Sequence, residues 1–219
     1  MISVIEPAGR KARAPLYPLK VVLLGVAPPV WRRLHVPANA KLDWLHAALQ
    51  VALGWTNSHL HQFTVGEACY SDTGHYFAEF EDDPEILEES TFTLRQIAPQ
   101  EGDAFRYEYD FGDSWEHEIT VEKILPNPAA ASFALCLEGA RACPPEDCGG
   151  IPGYEELRKI LQNRKHPEHQ RTEEWLGRPF DAAAFDREKA NLWLRKLKWP
   201  RATEAHLRKV LMGRDAVPA

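Results

Sequence analysis

The chain lacks any long hydrophobic run, and this absence argues against a membrane-spanning protein. Its best apolar stretch, VVLLGVA, runs only from Val21 to Ala27, far short of the roughly 20 residues that a membrane-spanning helix needs. The opening segment, MISVIEPAGRKARAP, carries basic residues but no apolar stretch after them, unlike a secretory signal peptide. We therefore expect a cytoplasmic protein that does not enter a membrane.

An overall excess of positive charge is also missing, since the formal net charge is −6. The whole molecule is therefore not a binder of polyanions by simple electrostatics. The charge is uneven, however: residues 79–89 hold seven acids and no base, and residues 195–214 hold seven bases and one acid. These runs are either solvated faces or, at the C-terminal end, a segment that contacts nucleic acid or an acidic partner. The candidate contact residues are Arg32, Arg33, Arg195, Lys196 and Lys198.

Arg32 and Arg33 follow one another in a stretch that reads as a strand, WRRLHVP. Successive side chains of a strand point to opposite faces, so only one of the two can join a surface patch. The other can pair with a buried acid, for which Asp110 and Asp113 are the candidates.

Cysteine is scarce, and the paired C-x-x-C spacing of common zinc modules is absent. In a reducing cytosol the four cysteines are thiols or metal ligands. Three of them, Cys136, Cys143 and Cys148, cluster in a segment rich in proline and glycine. Three thiolates and one histidine suit a structural zinc ion, and His117 is the fourth ligand to test first. The alternative is that the thiols pack this loop as small buried hydrophobes.

The order of sequence patterns predicts an α+β fold: a mostly antiparallel, roll-like sheet covered by helices, with a Cys/Pro/Gly-rich insertion. YPLKVVLLGV and APPVWRRLHVP read as paired strands, and a helix follows in which apolar residues recur from Leu42 to Leu53. TFTLRQI reads as a short strand or a strand lead-in, and residues 126–153 as a long ordered loop or small subdomain. We predict a mobile arm over residues 1–15, one domain over 16–199, and a basic C-terminal helix and tail over 200–219.

The segment YEYDFGDSWEHEI, residues 107–119, reads as a hairpin whose bend is rich in acids. Asp110, Asp113, Glu116 and His117 are a candidate catalytic group, because hard oxygen ligands bind divalent cations that cut phosphodiesters. The alternative, which we favour, is that Asp and Ser shape the turn by bonding to backbone N–H groups. The DFG triplet matches a kinase motif, but no glycine-rich loop accompanies it.

The segment HLH provides a further candidate site. His59 and His61 would share a face if both lay in one strand, and His117 would complete a three-histidine zinc site. The alternative is that these histidines are hydrogen-bonded structural residues.

Three long stretches carry a resemblance to a known family: PPVWRRLHVP followed by LHAALQVALGW, then YDFGDSWEHEI, then CLEGARACPPEDCGGIPGY. The chain resembles the Ri-plasmid open-reading-frame-three-like family, over residues 17–198. Its members are also described as passenger or TnpR-like proteins of insertion elements. The resemblance implies a small α+β roll and brings no established reaction. The chain shows neither a serine-recombinase catalytic region nor a helix-turn-helix signature.

Two functions remain open at this point. The first, which we favour, is a non-enzymatic binding or accessory protein of plasmid or insertion-element type that uses a groove between the sheet and the helices. The second is a metal-dependent hydrolase or nuclease built on Asp110, Asp113, Glu116 and His117.

Overall fold

One eight-stranded sheet organises the fold, as a computed structural model describes it for residues 13–74, 85–127, 133–197 and 204–215. The strands are β1 (Leu16–Leu23), β2 (Trp31–Pro37), β3 (His61–Val65), β4 (Ala68–Ser71), β5 (Ile86–Glu88), β6 (Ala104–Tyr109), β7 (Trp115–Val121) and β8 (Leu135–Ala140). The helices are α1 (Leu42–Leu53), α2 (Leu94–Ile97), α3 (Gly150–Gln162), α4 (His169–Leu176), α5 (Arg187–Leu194) and α6 (Glu204–Asp215).

The strand order is β5-β4-β3-β6-β7-β1-β2-β8. Every neighbouring pair is antiparallel except β4 and β5, which run parallel. The predicted α+β class with a mostly antiparallel sheet is therefore confirmed. Because β3 lies beside β6, the start of β3 comes next to the bend between β6 and β7.

The β6–β7 hairpin follows the alternation seen in its sequence. Tyr107 pairs with His117 and Tyr109 with Trp115, and all four side chains are fully buried. Phe111, the next aromatic residue in the alternation, is 40% exposed, because β6 ends at Tyr109. The hairpin thus presents an aromatic face to the core and its bend to one end of the sheet.

Helix α1 is buried along almost its whole length, with Asp43 as its one residue that is not buried. A helix that is apolar on most sides is typical of a position between other elements, and α1 contacts β2, α5 and the turn at Glu89–Thr91. The helix ends at Gly54, which has φ +99°, as predicted. Two polar residues of α1, His46 and Gln50, are therefore held inside the protein.

Two local predictions were wrong. Leu94–Ile97, the second half of TFTLRQI, form helix α2 rather than a strand, because Thr93 and Gln96 make a capping box at its start. The cysteine-bearing segment is not all loop, since residues 135–140 form β8 and pair with β2. Asn191 of α5 donates to and accepts from the backbone of Cys136 (2.8 and 2.7 Å). A helix side chain thus satisfies backbone groups on the outer edge of β8.

Helix α6 packs onto the core through Leu207, Val210 and Leu211, all of which are buried. Residues 1–12 of the predicted arm, the acidic residues 79–84, and Lys198 lie outside the described residues. The division of the chain at residues 15 and 199 stays a prediction. No helix in the described part of the chain is long and apolar enough to span a bilayer.

Candidate functional site

A pocket of about 550 Å³ lies where α1, the start of β3, the end of β4 and α6 meet. This volume falls within the range of small-molecule sites. Its polar lining comes from segments far apart in the sequence. The lining residues are Asp43, His46, Asn57, Ser58, His59, Leu60, His61, Ser71, Asp72, Glu88, Glu89, Ser90 and Leu207.

His46 belongs to a closed ring of hydrogen bonds behind the pocket. Its Nδ1 accepts from the Tyr107 hydroxyl at 2.9 Å, and its Nε2 donates to Asn57 Oδ1 at 2.5 Å. Gln50 Nε2 donates to the same hydroxyl at 3.0 Å, and Asn57 N donates to Gln50 Oε1 at 3.0 Å. This set of bonds is fully satisfied by neutral His46, and burial lowers its pKa to about 3. The ring therefore fixes one wall of the pocket.

His61 stacks on His46 with ring centroids 3.4 Å apart and contacts Glu89 (Nε2 to Oε2, 2.9 Å). Burial lowers the pKa of His61 to about 3, so the ring does not supply a positive charge to the acid. Burial raises the pKa of Glu89 to about 7, opposed by His46 and assisted by the nearby acids Asp72 and Glu88. The pocket thus contains a buried carboxyl group that changes protonation near neutral pH.

Three other lining residues carry carboxyl groups. Hydrogen bonds from Ser90 and Thr73 lower the pKa of Glu88 to about 2, so this side chain is ionised. Asp43 and Asp72 bring the number of carboxyl groups in the described lining to four, and this described lining contains no lysine or arginine. The electrostatic field of such a pocket favours a cation over an anion.

At the rim of the pocket, His59 meets two aspartates. Its Nε2 lies 3.1 Å from Asp147 Oδ1 and 3.5 Å from Asp110 Oδ2. Within the described residues, these three side chains are the one group of His, Cys, Asp or Glu whose ligand atoms all lie within 4.8 Å of one another. They are therefore the residues placed to hold a metal ion.

The predicted catalytic group is not brought together. Asp110 Oδ1 accepts from the backbone N–H groups of Gly112 (3.0 Å) and Asp113 (3.3 Å), as a turn-forming Asp does. Asp113 Oδ2 accepts from Gly149 N at 3.2 Å. Glu116 is exposed on one face of β7 whereas His117 is buried on the other. The hydrolase built on these four residues therefore has no common site.

The predicted zinc site on Cys136, Cys143, Cys148 and His117 is not assembled either. In the described part of the chain, no three of these ligand atoms form a group within 4.8 Å. Cys143 Sγ accepts from Arg32 Nη2 at 3.7 Å, and Cys136 Sγ contacts Glu138 O at 3.4 Å. Burial raises the pKa of Cys136 to about 11 and that of Cys148 to about 12, which disfavours the thiolates that zinc requires.

The three-histidine site is corrected in the same way. His61 opens β3, but His59 lies before the strand, so the two do not share a strand face. His59 faces the two aspartates, His61 faces Glu89, and His117 lies buried with Nδ1 3.3 Å from Tyr107 O. Each histidine therefore has its own surroundings.

Contrary to expectation, Arg32 forms no ion pair with an acid among the described residues. Its guanidinium donates to the carbonyls of Ala52 (2.9 Å), Trp31 (2.7 Å) and Ala140 (3.0 Å). It also lies 3.8 Å from the centre of the Phe185 ring. Buried carbonyl groups substitute for a carboxylate here, and Arg32 is not available to an external partner.

The other candidate contact bases differ in exposure. Arg33 forms ion pairs with Glu122 (2.7 Å) and with Glu138. Arg195 is exposed, and Lys196 Nζ lies 3.6 Å from the centre of the Trp193 ring. A nucleic-acid or protein contact through the C-terminal bases stays a prediction.

Sequence reasoning missed Glu89, Asp147 and the role of His46. The i, i+4 spacing of His46 and Gln50 inside the apolar stripe of α1 was a usable signal, because two buried polar groups need partners. Glu89 resembled its neighbours in an acidic run, and Asp147 resembled an ordinary loop residue. No local sequence pattern distinguished Glu89 from the neighbouring acids or Asp147 from other loop residues.

Comparison with known proteins connects the chain to proteins of similar length. A family model described as plasmid pRiA4b ORF-3-like protein matches residues 15–189. The uncharacterized protein y4hQ of Sinorhizobium fredii is 38% identical over 186 residues, covering 84% of this chain and 93% of that protein.

A solved structure is similar as well. The crystal structure of the protein of unknown function MM3350 from Methanosarcina mazei Go1 has a TM-score of 0.68 and 33% sequence identity, covering 82% of this chain and 98% of that one. The match of the family model and the agreement with two relatives above 30% identity lead to one conclusion. The chain belongs to the plasmid pRiA4b ORF-3-like family.

Proposed function

We propose that this chain is a binding protein whose pocket takes a small organic molecule carrying a primary ammonium group. The single observation that carries the proposal is Glu89, a buried carboxyl group at the pocket that faces a neutral histidine instead of a cation. Burying an ionised carboxylate without a positively charged partner is costly. An incoming ammonium group would supply the missing positive charge.

The chemistry of the lining supports a primary rather than a quaternary ammonium. Four carboxyl groups line the pocket, and Phe, Tyr and Trp are absent from its described lining. Quaternary ammonium ligands are bound by cages of aromatic rings, whereas a primary ammonium offers three N–H donors to carboxylate acceptors. The same lining disfavours phosphates, and with them nucleic acid, as occupants of this pocket.

This proposal continues the binding role predicted from the sequence. A plasmid or insertion-element setting comes only from the name and description of the family, and it adds no ligand. The alternative, a hydrolase built on the hairpin acids, lacks a shared site for its four residues.

Calorimetric titration with ethanolamine, putrescine and agmatine tests the proposal. Titrations at about pH 6 in two buffers of different ionisation enthalpy should reveal release of a proton on binding, because a cation lowers the pKa of Glu89. Glu89→Gln should weaken binding by about 10- to 100-fold, the equivalent of a charge-assisted hydrogen bond, and should abolish the proton release.

Glu88→Gln is the matched control at the adjacent lining position. Since Glu88 is already ionised, its replacement should leave the proton release intact even if affinity falls. Tetramethylammonium, which has the charge but no N–H donors, should bind poorly. The proposal is overturned if none of the amines binds, if tetramethylammonium binds as well as they do, or if Glu89→Gln retains full affinity.

A further inference from the structure

We infer that His59, Asp110 and Asp147 form a binding site for one divalent transition-metal ion, with Zn²⁺ as the representative ion. This site shares His59 with the lining of the ammonium pocket, whereas Asp110 and Asp147 lie outside that lining. It also differs from the cysteine site and from the hairpin-acid site expected from the sequence. Asp110 is the one residue that it shares with the predicted hairpin group.

The two distances from His59 fit a metal ion, and the ligand oxygens of Asp110 and Asp147 lie within 4.8 Å of each other. Metal bonds of about 2.1 Å at angles between about 90° and 115° place neighbouring ligand atoms about 3.0–3.5 Å apart. The observed separations from His59 Nε2 are 3.1 Å to Asp147 and 3.5 Å to Asp110. One nitrogen and two carboxylate oxygens would leave the remaining coordination positions to water or to a ligand.

The state of His59 Nε2 points to the same conclusion. This atom is inaccessible to solvent and, among the described residues, has no hydrogen-bond partner. Asp147 Oδ1 and Asp110 Oδ2 lie within 3.5 Å of this nitrogen. Neither oxygen has the position that a hydrogen bond from an N–H on Nε2 requires. A buried polar atom without a partner is rare in folded proteins. A metal ion bound to the Nε2 lone pair would remove this anomaly.

Asp110 uses its two oxygens differently. Oδ1 accepts from the backbone of the turn, and Oδ2 faces His59. The carboxyl group is only 9% exposed, so its charge is held at a fixed place. One side chain can therefore form the turn through Oδ1 and bind a metal ion through Oδ2.

Three loops deliver the ligands, and contacts outside the site hold the loops together. Asp110 N donates to Leu60 O at 2.8 Å, which ties the hairpin bend to the loop of His59. Thr56 N lies 3.1 Å from both carboxylate oxygens of Glu146, next to Asp147. Asp113 Oδ2 accepts from Gly149 N. The three loops are thus held in place before any ion arrives, while the Asp147 side chain itself is 69% exposed.

The imidazole ligand decides the class of ion. Histidine nitrogen suits zinc, iron, copper and nickel, whereas magnesium and calcium prefer sites made entirely of oxygen. We expect Zn²⁺ to bind and Mg²⁺ not to compete at equal concentration.

The experiment is titration of chelator-treated, full-length protein with ZnCl₂, followed by calorimetry and elemental analysis. Wild-type protein should bind one equivalent at this site. His59→Gln and Asp147→Asn should each weaken binding by at least about 100-fold, since residues bound directly to the ion outweigh the 10- to 100-fold effect of the partners behind them. Asn is chosen at 147 because φ is +61° there, a conformation that Asn tolerates.

His166→Gln and Asp181→Asn are matched controls away from the rim, and they should bind Zn²⁺ like the wild type. Circular dichroism of each variant checks that it is folded. Substitution with Co²⁺ separates the two metal hypotheses, because a thiolate ligand adds an intense charge-transfer band that nitrogen and oxygen ligands do not. The assignment is overturned by such a band, by the absence of Zn²⁺ binding in wild-type protein, or by undiminished binding in both ligand variants.

Discussion

Replacing Glu89 by Gln should change how the stability of the protein depends on pH. Glu89 is buried beside neutral His61, and its pKa is raised from 4.5 to about 7. The folded protein therefore holds this proton more tightly than the unfolded chain does. As pH rises above 4.5 the unfolded chain loses the proton first, so the group destabilises the fold progressively until pH passes about 7. Gln mimics the protonated acid and avoids this loss.

The size of the effect follows from the two pKa values. Each pKa unit corresponds to 1.36 kcal/mol, so ionised Glu89 costs the folded state about 3 kcal/mol at pH 8 relative to its protonated form. At about pH 5 the cost is only about 1 kcal/mol. The Glu89→Gln variant should thus be more stable than the wild type by about 1 kcal/mol at about pH 5 and by about 3 kcal/mol at about pH 8.

Urea denaturation at several pH values from about 5 to 8 measures this difference, and comparing the two proteins cancels all other titrating groups. Glu67→Gln is the matched control, because Glu67 is exposed in the turn between β3 and β4. It should stay within about 0.5 kcal/mol of the wild type throughout. If the stability curve of Glu89→Gln runs parallel to that of the wild type at all pH values, the assignment of Glu89 as a buried titrating group is wrong.

Three further substitutions test the surroundings of the site by urea denaturation. Tyr107→Phe leaves His46 Nδ1 and Gln50 Nε2 without their partner in the core and should lower the free energy of unfolding by about 2–4 kcal/mol. Tyr17→Phe, the same change on β1, is the control and should lower it by less than about 1 kcal/mol. Equal losses in the two variants would refute the hydrogen-bonded ring. Gly150 has φ +65°, and a Cβ added there would lie 2.8 Å from Asp113 O. Gly150→Ala should therefore lower the free energy of unfolding by at least about 1 kcal/mol and weaken Zn²⁺ binding. Unchanged Zn²⁺ affinity would mean that this contact does not position the Asp147 loop. Arg32→Met leaves buried carbonyls without donors and should cost about 2–4 kcal/mol; a neutral result would show that water replaces the guanidinium.

Much of the sheet could be predicted because its strands are half-buried. Alternation of Tyr107 and Tyr109 with polar residues identifies β6, and the Gly66 turn identifies the β3–β4 hairpin. Helix α2 was missed because its four residues are too few for a helical period. The capping pair of Thr93 and Gln96, three residues apart, was its only local signal.

The functional residues were harder to predict because they meet only in the folded chain. Glu89 looks like one acid in an acidic run, and only its place against His61 removes it from water. Asp147 comes within 3.1 Å of His59 although the two lie far apart in the sequence. The cysteines did carry a visible pattern, but Cys136 lies in β8, Cys143 contacts Arg32 and Cys148 lies in the loop before α3, and in the described part of the chain no three of the predicted ligands meet.

Alternation, helical spacing and turn residues depend on near neighbours, so the sequence alone determined the α+β class, most of the strands and the shape of the Asp110 turn. Protonation and ligand geometry depend on which distant groups share a dry environment. Only the tertiary structure therefore decided that Glu89 is a buried acid, that His46 is locked in a neutral ring, and that His59 faces two aspartates. Charge and burial act through space, and a linear pattern does not record the distances between remote segments.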